Sequence, residues 1–211
     1  MRFGGREGRS RFGVASLCLS SDIADKWVKM ANMNTPIATR VEKARAKTEE
    51  PKSEAHADAG NYSKGKVVMH GFKVSLENPK GSTRSGVAVD GKAWSSVMQS
   101  DYGYIKGTMG ADGDQVDVFI GEAPDTELVF VVDQNNPDDS FDEHKCMLGF
   151  ATQAEARKGY LANYDKGWEK NIGGITALTI PQFNRWVKSD RTKKPCRDQK
   201  HIKLASDDCD L

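Results

Sequence analysis

Between residues 112 and 143 the chain carries eleven carboxylates and no Lys or Arg. They are Asp112, Asp114, Asp117, Glu122, Asp125, Glu127, Asp133, Asp138, Asp139, Asp142 and Glu143. Like charges about 4 Å apart repel by roughly 1 kcal/mol in water and about 4 kcal/mol at an intermediate protein dielectric. A fold must keep most of these groups in solvent, pair them with cations from elsewhere, or gather some around bound metal. The basic residues lie upstream. Residues 64–106 hold seven Lys or Arg against Glu77, Asp90 and Asp101. A net charge of +1, from 31 basic and 30 acidic residues, therefore hides two opposite poles. That balance argues against a nucleic-acid binder held by bulk charge.

The sharpest feature of the acidic segment is Asp112-Gly113-Asp114-Gln115-Val116-Asp117. A turn with two aspartates runs into a strand whose first outward residue is a third. An Asx turn capping a solvated hairpin would use such residues. Further carboxylates follow the next strand, at Asp133 and Asp142, where a sheet could return them to the same end. Converging carboxylates are hard oxygen donors of the kind that suits Mg²⁺, which shares its remaining positions with water and phosphate oxygens. An EF-hand calcium loop fits poorly. Counted from Asp133, Pro137 falls where an oxygen ligand belongs and His144 where the bidentate Glu belongs. Cations amid carboxylates, facing strand-borne Lys and Arg, make a site for a phosphate ester or anhydride.

Chain organisation follows from where a core can form. Hydrophobic content of 37% and a mean hydropathy of -0.63 are low for a wholly folded chain. From Lys47 to Asn61 there is no Ile, Leu, Val, Met or aromatic residue, so residues 1–63 are expected to be a disordered or weakly helical leader, with a frayed helix near Ile37 to Lys47. Its Arg-rich start and the patch Val14–Leu19 lack a convincing cleavage site, so no signal peptide is read, and Met30 or Met33 could be the natural start. Residues 64–190 form the domain, and 191–211 a charged tail whose basic run offers at most weak contact with phosphate or nucleic acid. No run reaches the roughly 20 apolar residues of a membrane helix. The four cysteines form no zinc-like pattern, which suits a reduced, cytoplasmic protein.

Within the domain, Val67–Glu77 alternates, with Phe72, Val74 and Leu76 on one face and Glu77 on the other. Asn78–Gly91 reads as loop or hairpin. Strands are expected at Tyr102–Lys106, Val116–Ile120, Leu128–Val132 and within Phe141–Phe150. Thr152-x-x-Glu155 opens a helix to about Tyr164, and Thr179-x-x-Gln182 opens a second with Phe183, Trp186 and Val187 on its apolar stripe. Strands followed by helices predict an α+β fold, a small barrel or curled sheet packed by C-terminal helices.

Tyr102-Gly103-Tyr104-Ile105, Thr108 and the Asp112–Val118 segment together resemble the signature of the soluble family I inorganic pyrophosphatases, down to the ten-residue spacing from first Tyr to first Asp. Phe141–Phe150 and Asn163–Trp168 are similar to text in a shorter branch associated with phages and mobile elements. The resemblance covers residues 64–190. It implies an OB-like five-stranded β-barrel with helices alongside, and Mg²⁺-dependent hydrolysis of pyrophosphate to two phosphates by a metal-activated water. Carried onto this chain, it implies Asp112, Asp117 and Asp142 as metal ligands, with Asp133 as a further ligand or supporting acid and Glu77 as the family's early glutamate. Asp114 would accept the proton of the attacking water. Tyr102, Tyr164 and Lys145 would contact phosphate, with Arg84 and Lys92 as a loosely aligned basic pair.

The chain departs from that pattern at three places. Gln115 replaces a proline, Ser85 and Gly86 stand where a second glutamate is expected after Arg84, and Asp165 takes the place of a lysine. Three readings follow: a pyrophosphatase, a hydrolase of nucleotides or other phosphoanhydrides, and a non-catalytic accessory module acting through its tails. The oligomeric state is left open, a homo-oligomer included.

Overall fold

The computed structural model describes residues 35–51, 55–56, 59–87 and 91–199. The expectations for residues 1–34 and for the acidic end of the tail lie outside the described residues. In chain order the elements are α1 (Ile37–Arg45), β1 (Lys66–Met69), β2 (Phe72–Asn78), β3 (Thr83–Val87), β4 (Ala93–Val97), β5 (Asp101–Ile105), β6 (Asp117–Ile120), β7 (Leu128–Asn135), β8 (Phe141–Leu148), α2 (Gln153–Leu161), β9 (Ile172–Thr179) and α3 (Ile180–Val187). Short 3₁₀ turns occupy Trp168–Asn171, Asp190–Lys193 and Cys196–Asp198.

Seven strands form one sheet in the order β1-β2-β5-β6-β8-β7-β9, and β3 with β4 makes a separate two-stranded hairpin. All pairings are antiparallel except β6 with β8. The fold is α+β, as its strand and helix order predicts. The expected five-stranded barrel is corrected: the main sheet has seven strands and is open, with β1 and β9 as its two edges. Helices cover the faces, so apolar side chains are buried without the sheet closing on itself.

Alternation along the strands sorts side chains into two cores. Val74, Leu76, Ile105, Val118, Ile120, Val131, Cys146 and Leu148 pack with Val41 and Ala44 of α1 and with Phe183, Trp186 and Val187 of α3. On the opposite face Tyr102, Phe119, Phe130, Val132 and Met147 pack with Ala156 and Tyr160 of α2. Both C-terminal helices start at their expected caps. Thr152 Oγ1 accepts from the Glu155 N–H, and Thr179 with Gln182 forms a complete capping box. The first alternating run is two strands turned at His70-Gly71, both with positive φ, as a tight hairpin requires.

The folded unit is wider than residues 64–190. Helix α1 buries Val41 and Ala44, and a Cβ on Gly65 would stand 1.9 Å from the Ala44 carbonyl oxygen. The Arg45 guanidinium grips Asp101 with Nε at 2.9 Å and Nη2 at 2.7 Å. Asp101 is 1% exposed and also accepts the Lys80 N–H at 2.8 Å. At the other end Thr192 and Cys196 are buried. The helix near Ile37 was thus foreseeable, but not its docking, which rests on one small apolar stripe and one ion pair. Asp101→Ala leaves the Arg45 charge and the Lys80 N–H without their partner, and should lower unfolding free energy by about 3 kcal/mol in urea titration.

Candidate active site

The site is built on the face that carries Tyr102, Phe119 and Met147. In β6, Asp117 shares that face with Phe119; in β8, Glu143 and Lys145 share it with Met147. The parallel register sets Asp117 directly beside Lys145. Lys145 is 3% exposed. Its Nζ pairs with Asp117 Oδ2 and with Glu143 Oε1 at 2.8 Å. It also donates to the Tyr102 hydroxyl at 3.3 Å, and that hydroxyl donates to the same Asp117 oxygen.

A second layer rests on Gln134 of β7. Its Nε2 donates to Asp142 at 3.0 Å and to Glu143 at 3.1 Å. Its Oε1 accepts from the hydroxyls of Tyr160 at 2.8 Å and Tyr164 at 3.1 Å. Tyr164, just beyond α2, stacks on Trp168 with ring centres 4.7 Å apart. The Trp168 Nε1–H donates to the Tyr160 hydroxyl at 2.8 Å. Arg84 of the β3–β4 hairpin completes the group, its guanidinium 4.5 Å from the Tyr102 ring centre.

Burial shifts the ionisations. Burial raises the Glu143 carboxyl to about 7; Lys145 opposes that and Asp117 adds to it. Burial also raises the Tyr164 phenol, to about 12, and the Tyr102 phenol further. Both therefore keep their protons at neutral pH. Burial works against the Lys145 charge, but Tyr102, Asp117, Tyr164 and Glu143 outweigh it and hold the ammonium well above its ordinary range.

Among the residues expected at the site, the structure brings together Asp117, Tyr102, Lys145, Tyr164 and Arg84, with Asp142 joined through Gln134. Glu77 of β2 is held by Lys64 at 2.7 Å, and its charge also acts on the Arg84 guanidinium. Asp112 and Asp114 stand exposed in the turn before β6, where Asp112 Oδ1 accepts the Asp114 N–H at 3.1 Å and Gly113 takes φ +93°. Gln115, where the resemblance expects proline, braces the loop by accepting the Gly107 N–H at 2.9 Å. Lys92 is exposed just before β4.

Asp133 is placed elsewhere. One step of alternation turns it to the α3 face, where it is fully buried. Its two oxygens accept the backbone N–H groups of Cys196 at 2.7 Å and Arg197 at 3.0 Å, and His144 Nε2 lies 3.1 Å away. It anchors the C-terminal turn and does not reach the Lys145 group. Sequence reading missed Glu143, two residues before Lys145 and on its face; Asp142 beside it sits at a register shift of β8 against β7 and shares the Gln134 amide with Glu143. Gln134, Tyr160 and Trp168 were missed as well, and only their cross-strand and helix contacts reveal them.

The donor chemistry suits a hard divalent cation. Asp112, Asp114, Asp117, Asp142 and Glu143 offer only oxygens, and among the described residues nothing bonds Asp117 Oδ1 or the Asp114 carboxylate. Among those same residues, no three His, Cys, Asp or Glu side chains are gathered closely enough to hold a metal as they stand.

The open α+β sheet thus buries a lysine between two carboxylates, beside protonated phenols and a hairpin arginine. Residues 54–188 of this chain match the family model described as Inorganic Pyrophosphatase. The match spans more than half of the chain, and the chain belongs to the inorganic pyrophosphatase family. No curated protein matches it. Among the described residues no helix is long and apolar enough to cross a membrane.

The Glu143 shift has a thermodynamic consequence. A carboxyl that binds its proton more tightly when folded favours the fold at low pH, and that advantage is lost as pH rises from its ordinary 4.5 through about 7. In metal-free protein, Glu143→Gln should therefore gain roughly 2 kcal/mol of stability relative to the parent chain between pH 5 and pH 8, read by urea unfolding.

Proposed function

We propose that this protein hydrolyses inorganic pyrophosphate to two phosphates with Mg²⁺ as cofactor. The observation that carries the reading is the Asp117–Lys145–Glu143 group, with Tyr102 and Tyr164 beside it, on a chain of this family. Asp112, Asp114, Asp117 and Asp142 would hold the cation, with Glu143 in place of Asp133 as the further carboxylate. When bound, such a cation neutralises phosphate oxygens and makes water a nucleophile near neutral pH.

The chain's own residues do the rest. Tyr102 and Tyr164 keep their protons and can donate hydrogen bonds to phosphate oxygens. Lys145 stays charged, and burial strengthens its attraction for a phosphate that approaches it. Arg84, on the hairpin above Tyr102, can hold the outer phosphate. Asp114 is exposed and unbonded by any described residue, so its carboxylate is available to accept the proton of the attacking water. Gln134 fixes Glu143 from behind and the tyrosine hydroxyls from the side. The free thiols Cys146 and Cys196 fit the cytoplasmic setting included in this reading. The phage and mobile-element branch remains a reading of Phe141–Phe150 and Asn163–Trp168.

The test is phosphate release from pyrophosphate with Mg²⁺. The parent chain should turn over, and a chelator should abolish release. Asp114→Asn should lower kcat by about 10²- to 10⁴-fold, and Lys145→Met should lower kcat/KM by about 10²- to 10³-fold. No release from the parent chain, or equal release from Asp114→Asn, contradicts the reading. Nucleoside triphosphate turnover above that of pyrophosphate would transfer the same chemistry to a nucleotide substrate.

A further inference from the structure

We propose that Trp94 is a positioning residue for Arg84, holding its guanidinium ready for the substrate's outer phosphate; the role in catalysis rests on the pyrophosphatase reading above. Arg84 and Trp94 share the inner face of the β3–β4 hairpin, whose outward positions Thr83, Ser85, Val87, Ala93, Ser95 and Val97 are exposed. The Arg84 guanidinium lies over two rings, 5.5 Å from the Trp94 centre and 4.5 Å from the Tyr102 centre. Among the described residues it has no hydrogen bond and no carboxylate within ion-pair distance. An arginine here is thus oriented by ring faces, which attract the cation without consuming its N–H donors.

The local sequence makes room for that arrangement. Trp94 is paired across the hairpin with Gly86, and Arg84 with Ser96. A Cβ on Gly86 would stand 2.8 Å from Trp94 Cζ2 and 3.0 Å from Cε2, so the indole lies directly across a position that must lack a side chain. Ser96 opposite Arg84 is small, and its hydroxyl donates to the Asn163 carbonyl at 3.4 Å. Asn163 Oδ1 also accepts the Gln99 N–H at 2.8 Å, which ties the hairpin's exit to the segment that carries Tyr164. The indole, the guanidinium and the Tyr102 ring are therefore set on a base fixed to the rest of the site. Gly86 and Trp94 belong to one device: the first vacates the space and the second fills it.

If Trp94 orients Arg84 toward an anion bound alike in ground and transition states, its loss should raise KM and leave kcat nearly unchanged. Steady-state hydrolysis of pyrophosphate by the full chain tests this. Trp94→Ala should raise KM roughly five- to tenfold, the weight of a half-exposed cation–π contact, with kcat within twofold. Trp94→Phe should restore most of the KM. Gly86→Ala, which leaves both partners in the chain but displaces the indole, should raise KM in the same direction. In an Arg84→Ala background, Trp94→Ala should add nothing. A second readout does not depend on activity. The Arg84 Nε–H resonance, shielded by the two rings in the parent chain, should move toward the ordinary arginine position in Trp94→Ala. An unchanged resonance overturns the proposal, as does an unchanged KM in a parent chain that hydrolyses pyrophosphate. Equal losses in kcat and KM without rescue by Phe also overturn it, because they mark a merely structural tryptophan. If the parent chain does not hydrolyse pyrophosphate, the function fails. The resonance, and a five- to tenfold weaker calorimetric affinity of Trp94→Ala for inorganic phosphate, then decide the positioning role alone.

Discussion

A lysine with almost no exposure, placed between two carboxylates, is the constraint around which this molecule is organised. Removing Lys145 from water is costly, and Asp117 and Glu143 face it with carboxylate oxygens while the Tyr102 hydroxyl accepts from it. Two structural facts bring them there. The parallel pairing of β6 with β8 puts Asp117 beside Lys145, and alternation within β8 puts Glu143 on the same side. The acidic segment is therefore not simply spread over the surface. One of its aspartates and one of its glutamates face a buried cation, Asp142 shares the Gln134 amide with that glutamate, Asp133 is buried on the other face, and Asp112 and Asp114 stand exposed in the turn before β6.

The same sheet uses its opposite face for a different purpose. Asp133 and His144 are each one position away from a residue of the active face and lie 3.1 Å apart; the His144 and Trp186 ring centres are 4.9 Å apart. Asp133 caps two backbone N–H groups of the C-terminal turn. What looked in sequence like one cluster of acids is divided by the pleat into a structural anchor and a chemical group. That division explains how so many carboxylates coexist in one small fold.

Much of this could be read from the residues, for identifiable reasons. The strands around Phe72 and Phe119 alternate cleanly, the one around Phe130 is a short continuous apolar run, and both C-terminal helices announce themselves by caps. Strand β9 does not. Gly173 and Gly174 break any alternation, and their lack of side chains answers to crowding by Asn135 and Arg197, seen only in three dimensions. The barrel expectation failed because strand number and closure depend on which edges pair. In the site, Glu143 went unread beside Asp142, although Lys145 was already in view and Glu143 stands two residues before it. Asp133 lies one step of alternation off the active face, where it caps the Cys196 and Arg197 N–H groups.

The family membership and the buried group lead to one claim: the carboxylates at 112, 114, 117 and 142 serve a divalent cation. Calorimetric titration of Mg²⁺ into the full chain, with and without inorganic phosphate, tests it most directly. The account predicts saturable binding that Asp117→Asn abolishes while the fold is kept. Absence of Mg²⁺ binding under both conditions, or binding unaffected by Asp117→Asn, would contradict it.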